Sequence, residues 1–142
     1  MKKISEIRGV KIYYAPGKRR LEQCRYSWET LKEETGFGTV DVTKRLVDFG
    51  MQHYWQSHHP HIVPEPFTLE PTESYSKDDL DEYATILRHI SKECYENPEI
   101  IRTAPHNAPI HNTILDEIND FDKIAVTWRQ LQKRVKAGTI KL

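Results

Sequence analysis

The sequence has no long apolar run, no excess of either charge and only two cysteines. Nowhere in its 142 residues do about 20 apolar residues follow one another, so we expect no membrane-spanning helix and no membrane partner. Lysine and arginine together number 21, and aspartate and glutamate also number 21. This balance gives the protein no electrostatic reason to bind nucleic acid, which we exclude as a partner.

The cysteines and the first residues both indicate a reducing compartment. Cys24 and Cys94 have no paired spacing, which favours two free thiols, with a single disulfide as the alternative. Met1–Glu6 contains two lysines, but no apolar segment follows it as a secretory signal requires. We therefore predict a cytoplasmic protein.

The length predicts one domain, and its strands are predicted to be short. A chain of 142 residues can bury one core but not comfortably two. The segments whose composition and alternation are typical of strands are 9–14, 22–28, 62–63 and 67–70. In the second of these, the side chains that would share one face are Cys24, Tyr26 and Trp28.

Two segments have the spacing of amphipathic helices. The first begins near Thr39, a suitable N-cap, and ends at Gly50, with an apolar stripe formed by Val42, Leu46 and Phe49. The second begins with Ser76 and Asp79 in a capping-box pattern and ends at Asn97. Its core stripe consists of Leu80, Tyr83, Ala84, Leu87, Ile90 and Cys94. A short sheet packed by two main helices predicts a single small α+β domain, with a late strand or short helix over 124–135.

Three segments, in matching order and spacing, resemble one protein family. They are Asp41–Gly50 (DVTKRLVDFG), Glu70–Ser74 (EPTES) and Arg102–His106 (RTAPH). They are similar, in that order, to a helix that ends in glycine, to the run before the last long helix, and to the segment after that helix. The family is the P-protein of the glycine cleavage system, and specifically its second subunit. One such segment alone would be weak evidence for a family. Three segments in matching order and spacing over residues 20–112 are specific evidence.

The resemblance implies a domain organisation and an activity. Residues 21–112 would be the glycine dehydrogenase C-terminal-like domain, after a lead-in with a short strand over 1–20 and before an extension over 113–142. The fold would be that of the small C-terminal domain of fold-type-I pyridoxal phosphate enzymes. The complete enzyme would decarboxylate glycine and pass the aminomethyl group to a lipoyl arm, with the cofactor as the electron sink.

The groups that hold the cofactor in this family have no counterpart in the sequence. The family forms a Schiff base on a lysine that follows a histidine, and no lysine here follows a histidine; a glycine-rich phosphate loop is also absent. We therefore expect no catalytic or cofactor-binding residue in this chain, and pyridoxal phosphate only in the parent enzyme. The implied partners are the large pyridoxal phosphate domain, the other P-protein subunit and, through the full enzyme, the lipoylated H-protein.

A cluster of imidazoles follows the first predicted helix, in a stretch that contains three prolines. Its members are His53, His58, His59 and His61. The resemblance aligns His53 with a histidine of the family and implies a loop that faces the active site of the parent enzyme. The alternatives are a transition-metal site and a plain surface or interface loop. Because no cysteine or carboxylate signature beyond Glu65 frames these imidazoles, we predict no metal site.

Other tempting residues have simpler interpretations. Glu70 and Glu73 could pair as catalytic carboxylates, but acids before a helix are favoured by its dipole. Aromatic residues that could form a ligand platform, but are more typical of a core or an interface, are Trp28, Tyr54, Trp55 and Trp128. Because the parent enzyme would cover part of this domain, an isolated copy should expose apolar surface, which is compatible with self-association.

Two functions of different class follow from these observations. The preferred one is a C-terminal domain or part of glycine dehydrogenase (decarboxylating) subunit 2 that is not catalytic alone. The alternative is a non-catalytic module, derived from that domain, that binds a partner or ligand through the stretch from His53 to His61. An independent metal-binding protein is a third and weaker hypothesis.

Overall fold

The computed structural model describes residues 2–13, 23–54, 56, 62–109 and 127–139. The elements in chain order are α1 (Lys2–Ser5), β1 (Cys24–Ser27), α2 (Glu29–Thr35), α3 (Thr39–Asp48), β2 (Pro66–Leu69), α4 (Lys77–Glu96), α5 (Pro98–Arg102) and α6 (Trp128–Lys136). The chain forms two compact units, Met1–His111 and Asn112–Leu142. The described part of the first unit is a small α+β domain with a two-stranded antiparallel sheet, which confirms the predicted fold class.

An aromatic cluster joins the two strands to the core. β1 and β2 pair in antiparallel register with Tyr26 opposite Phe67. The Phe67 ring lies 5.2 Å from the ring of Tyr26, 4.9 Å from that of Trp28 and 4.9 Å from that of Tyr54. Trp28 and Phe67 are fully buried and Cys24 nearly so, so the predicted buried face of the first strand is confirmed.

Two of the predicted strands are not regular strands. Within 9–13, Lys11 makes one isolated bridge to Ser27, and the rest of the prediction lies outside the described residues. The strand predicted at 62–63 is wrong. Ile62 is 87% exposed, and residues 62 and 63 lie in a bend before β2 rather than in a strand. Composition favoured a strand there, but no neighbouring strand pairs with it among the described residues.

α3 lies where the sequence predicted, with a different first residue. Gly38, not Thr39, is the N-cap, and its N–H donates to the Asp41 carboxylate at 2.9 Å. Thr39 is instead the first helical residue, and its side chain is buried because the chain returns against it at Glu65. The apolar stripe is confirmed by the complete burial of Val42 and Leu46. The helix is followed by Gly50 with a left-handed φ of 69°, as predicted.

α4 is the longest helix of the domain and begins with the predicted capping box. The Ser76 hydroxyl accepts from the N–H of Asp79 at 3.1 Å, and the Asp79 carboxylate accepts from the N–H of Ser76 at 2.8 Å. The buried part of the predicted stripe consists of Ala84, Leu87, Ile90 and Cys94. Leu80 is 41% exposed, contrary to the prediction, and it lies at the end of a stretch, 71–80, in which every residue is exposed.

Three short helices, α1, α2 and α5, were missed by the sequence argument. α2 contains one buried residue, Leu31, so its charged sequence has no apolar stripe to detect. α5 begins directly after Asn97, with Pro98 in its first turn, where the lost N–H of proline costs nothing. The pair Asn97–Pro98 therefore ends one helix and begins the next, whereas only the ending was predicted.

The first residues of the chain contribute to the core. Ile4 and Ile7 are buried, and the Ser91 hydroxyl of α4 donates to the Arg8 carbonyl at 2.6 Å. Gly9 has a left-handed φ of 83°, and an added Cβ would lie 2.8 Å from the Cβ of Leu31. The predicted domain limits near residues 20 and 112 stay predictions.

The second unit is described only over residues 127–139. The Thr127 hydroxyl caps α6 by accepting from the N–H of Gln130 at 3.2 Å. Of the two alternatives predicted over 124–135, the helix is present from Trp128 onward, and residues 124–126 lie outside the described part. Among all the described helices, none combines the length and the apolar character needed to cross a bilayer.

Candidate functional site

The two residues that flank the undescribed histidines both bind the first residue of α3. The Tyr54 hydroxyl donates to the carbonyl of Thr39 at 2.7 Å. The Glu65 carboxylate accepts from the N–H of Thr39 at 2.7 Å. The chain therefore leaves and returns at one point, the N-terminal end of α3, and the stretch between Tyr54 and Glu65 is attached there at both ends.

Glu65 has the role that a capping side chain usually has. Gly38 has no side chain to offer, and the Glu65 carboxylate lies where a Cβ on Gly38 would be. The main chain of Glu65 is fixed as well, because its carbonyl accepts from the N–H of Trp28 at 2.9 Å. A helix N-terminus of this kind can bind a phosphate or carboxylate. Here the protein's own carboxylate already occupies it.

Among the four histidines singled out from the sequence, only His53 is described. It is exposed, and its Nδ1 lies 3.0 Å from the carbonyl oxygen of Tyr54. His58, His59 and His61 lie outside the described residues, so a loop that faces an active site stays a prediction. Within the described part of the chain, no group of three His, Cys, Asp or Glu residues is placed to hold a metal ion.

A buried ion-pair cluster lies at the other end of α3. Arg45 donates to both oxygens of the Glu93 carboxylate, from Nη2 at 2.8 Å and from Nε at 2.9 Å. Its Nη1 also donates to Asp48 at 2.8 Å. The side chains of Arg45 and Glu93 are 11% and 12% exposed, and that of Asp48 is 1% exposed. The cluster thus joins α3 to α4 through paired charges with little contact with water.

Asp48 also holds the segment that follows α5. Its Oδ1 accepts hydrogen bonds from the backbone N–H of His106 and from that of Asn107, the latter at 2.7 Å. The side-chain amide of Asn107 donates to the Asp48 backbone carbonyl at 3.0 Å. The His106 ring lies between two side chains. Its Nδ1 is 3.1 Å from Oδ2 of Asp48, and its Nε2 is 2.9 Å from the hydroxyl of Thr103. Two of the three family-like segments therefore meet at Asp48.

The third family-like segment is on the surface. Glu70 accepts from the side chain of Gln23 at 2.6 Å, and both Glu70 and Glu73 are exposed.

The sequence argument missed the Arg45–Asp48–Glu93 cluster altogether. One signal was present, because Arg45 lies on the same side of α3 as the buried Val42 and Leu46.

The pKa of Asp48 results from opposing effects. Burial alone would raise it, but hydrogen bonds from the Asn107 backbone, the Arg45 guanidinium and the His106 backbone bring the pKa below its ordinary 3.8. The pKa of Arg45 is raised, chiefly by its hydrogen bonds to Glu93. Both shifts keep the pair charged at neutral pH, so the cluster is built for attachment rather than for proton transfer.

The lowered pKa of Asp48 predicts a loss of stability in acid. A carboxyl whose pKa is depressed by folding stabilises the native state above its unfolded pKa, and this stability is lost as the pH falls through the folded value. We expect the free energy of unfolding, measured with urea, to decrease as the pH falls from about 5 toward 3.

The variant Asp48→Asn isolates this contribution. It should be less stable at neutral pH and should depend less steeply on pH in the acid range. Asp81→Asn is the control, because the pKa of Asp81 is also lowered but its side chain is 32% exposed beside Lys3 and Lys77, whereas that of Asp48 is 1% exposed. If both variants change the pH dependence of the free energy of unfolding equally, the contribution assigned to Asp48 is contradicted.

The described residues do not fit pyridoxal phosphate. The described lysine side chains are exposed to solvent, except that of Lys44, which is half-buried, so none lies in an enclosed site of the kind that holds a desolvated Schiff-base lysine. The N-terminus of α3, the place for a phosphate, contains the Glu65 carboxylate. The N-terminus of α3 is therefore not open to the phosphate group of the cofactor.

The fold and its charged cluster define a small α+β domain, whose polar residues hold its own segments together. A family model described as "Glycine dehydrogenase, C-terminal domain" matches residues 10–113, and the chain belongs to that family. "Probable glycine dehydrogenase (decarboxylating) subunit 2" of Pyrococcus furiosus is 40% identical over 136 residues, which is 95% of this chain and 26% of that protein. The subunit of the same name from Thermotoga maritima is 43% identical over 103 residues, which is 72% of this chain and 21% of that protein.

The comparisons confirm the resemblance drawn from the three short segments. They also show that the chain spans about a quarter of the length of the relatives it matches. The chain therefore corresponds to a domain or part of such a subunit, as the sequence argument predicted.

Proposed function

We propose that this chain acts as the C-terminal domain of a cytoplasmic glycine dehydrogenase (decarboxylating) and has no activity without the rest of the enzyme. The observation that supports this most directly is the match of residues 10–113 to the family, within relatives about four times as long. The N-terminus of α3, where a phosphate could bind, already contains the Glu65 carboxylate, and the proposal places the cofactor chemistry in a large domain elsewhere.

The role proposed for this domain is to close one wall of the glycine and cofactor pocket. The stretch that contains His53, His58, His59 and His61 would face that pocket. Its attachment to Thr39 through Tyr54 and Glu65 supports this role, because a loop fixed at both ends can hold a defined position. The proposed partners are the large pyridoxal phosphate domain, the other P-protein subunit and the lipoylated H-protein.

Exchange of the glycine carboxyl group with labelled bicarbonate tests the proposal. The assay contains pyridoxal phosphate and lipoylated H-protein, and is run on the chain alone and again with the large domain and the other subunit added. We expect exchange only in the complete mixture. Exchange by the chain alone would show that it carries the catalytic groups itself, against the proposal. Silence in both would favour the non-catalytic binding module.

Two variants test the role of the loop attachment in the reconstituted mixture. Glu65→Ala removes the acceptor at Thr39, and we expect exchange to fall by about tenfold or more, since small displacements of positioning groups have such effects. Glu70→Ala removes a carboxylate from the exposed end of β2 and should leave exchange unchanged. Equal rates for the two variants would argue against a loop that lines the pocket.

A further inference from the structure

The N-terminal end of α3 is shaped around a carboxylate group. Oε2 of Glu65 accepts from the N–H of Thr39 at 2.7 Å. A Cβ added to Gly38 would lie 2.6 Å from the carboxylate carbon of Glu65, so any larger residue would fill the same space. The Gly38 φ of −132° is an extended value that residues other than glycine also adopt. Glycine is therefore required at position 38 by the space that a carboxylate occupies, and not by the backbone conformation.

The Glu65 carboxylate leaves a buried polar group at this point without a partner. Thr39 is 3% exposed, and its hydroxyl makes no hydrogen bond to any described residue. Only three bonds separate a threonine hydroxyl oxygen from the nitrogen of the same residue, so the two lie within about 4 Å of each other in every rotamer. A group that accepts from the Thr39 N–H is therefore within reach of the Thr39 hydroxyl. Because an unpaired buried hydroxyl is unfavourable, this site favours an acceptor that binds both groups.

The Glu65 side chain can leave this site while its main chain stays in place. The Glu65 carbonyl accepts from the N–H of Trp28 at 2.9 Å, and the Pro64 carbonyl accepts from the Ser27 hydroxyl at 2.5 Å. Neither bond involves the Glu65 carboxylate. Glu65 is half-buried, so rotation about its side-chain bonds takes the carboxylate toward solvent.

A free carboxylate fits the site better than the tethered one. No side chain restrains its two oxygens, so one can accept from the N–H of Thr39 and the other from the Thr39 hydroxyl. The positive end of the α3 dipole favours an anion here. The space that Glu65 vacates holds one carboxylate and the carbon next to it, which is enough for formate or acetate. A phosphate ester that carries a pyridine ring is far larger, so the cofactor stays excluded.

We propose that the N-terminal end of α3 is a binding site for a small monocarboxylate, and that Glu65 is a built-in competitor which this ligand displaces. The bound carboxylate accepts from the N–H and the hydroxyl of Thr39 and lies against Gly38. Affinity for the wild-type chain is reduced by the fraction of molecules in which Glu65 occupies the site. This inference does not depend on the proposed enzymatic role.

Titration of the full chain with formate and acetate, followed by amide NMR at constant pH and ionic strength, tests the proposal. We expect a saturable shift of the Thr39 N–H resonance. Glu65→Ala should lower the dissociation constant by about tenfold or more, because the competitor is removed. Glu65→Gln should bind more weakly than Glu65→Ala, since the glutamine oxygen still accepts from Thr39. Pivalate carries the same charge as acetate but is too bulky for the space, and it should not bind.

Two further changes, made in the Glu65→Ala background, test the groups that bind the ligand. Thr39→Val removes the hydroxyl but keeps the shape of the side chain, and it should weaken acetate binding by about tenfold, since a hydrogen bond to a charged group is lost. Gly38→Ala fills the space and should abolish binding. The matched control is Glu70→Ala, which removes an exposed carboxylate elsewhere and should bind acetate as the wild type does.

A thermal melt establishes which variants are folded. The absence of a saturable shift in both the wild type and Glu65→Ala overturns the proposal. An equal shift with chloride means an adventitious ion only and also overturns it. If Glu65→Ala does not fold, the wild type is compared with Thr39→Val alone. Weaker binding by Thr39→Val then supports the proposal, and equal affinity overturns it.

Discussion

Arg45→Ala is expected to lower the free energy of unfolding by about 3–5 kcal/mol, because it leaves two buried carboxylates without a counter-ion. Arg45 donates to both oxygens of Glu93 and to Asp48, and these side chains are at most 12% exposed. Asp48 in turn holds the backbone of His106 and Asn107. Loss of the guanidinium should therefore loosen the segment after α5 as well as the contact between α3 and α4.

Urea denaturation at neutral pH measures this effect. Lys77→Ala is the matched control, because it removes a cation from an ion pair whose lysine side chain is 81% exposed, and it should cost less than about 1 kcal/mol. Arg45→Lys should recover only part of the loss, since one ammonium group cannot reproduce the two parallel hydrogen bonds to Glu93. A cost for Arg45→Ala as small as that of Lys77→Ala would mean that the cluster contributes little.

Phe67→Ala should destabilise the domain by about 3–5 kcal/mol, as is typical when a buried aromatic ring is removed. The Phe67 side chain is fully buried and stacks against the rings of Tyr26, Trp28 and Tyr54. Removal of the ring leaves a cavity between β1, β2 and Tyr54, the residue that attaches the histidine stretch to α3. Because a domain of this size has a total stability of roughly 5–15 kcal/mol, this change removes a large share of that stability.

Thermal and urea unfolding followed by circular dichroism measure the effect of Phe67→Ala. Phe67→Leu should cost distinctly less, because leucine refills part of the cavity. Tyr75→Ala also removes an aromatic ring, but from a side chain that is 52% exposed, and should cost about 0.5 kcal/mol or less. If Phe67→Ala and Tyr75→Ala unfold at the same denaturant concentration, the aromatic cluster is not the centre of the core.

Both large effects concern groups that position the ends of α3. The aromatic cluster includes Tyr54, whose hydroxyl binds Thr39 at the start of the helix. The charged cluster includes Asp48, at the end of the helix. The same residues that stabilise the domain therefore fix the histidine stretch and the segment after α5. For this reason, the exchange activity of each reconstituted variant has to be compared with its free energy of unfolding.

The sequence by itself determined the features that depend on neighbours along the chain. The α+β class, the buried face of β1, the stripe of α3 and the Ser76–Asp79 capping box all follow from local periodicity and local hydrogen bonds. Three short segments were also enough to identify the family, because their order and spacing match.

Only the tertiary structure decided the features that join distant residues. The N-terminal end of α3 is completed by Glu65, which lies 26 residues further along the chain than Thr39. The cluster at its other end brings Glu93 within hydrogen-bonding distance of Arg45, 48 residues away, and His106 next to Asp48, 58 residues away. Helical periodicity places a charge on one side of a helix, but the side chain that neutralises it depends on how the helices pack. The exposure of Leu80 has the same cause, because a helical stripe is buried only where another element covers it.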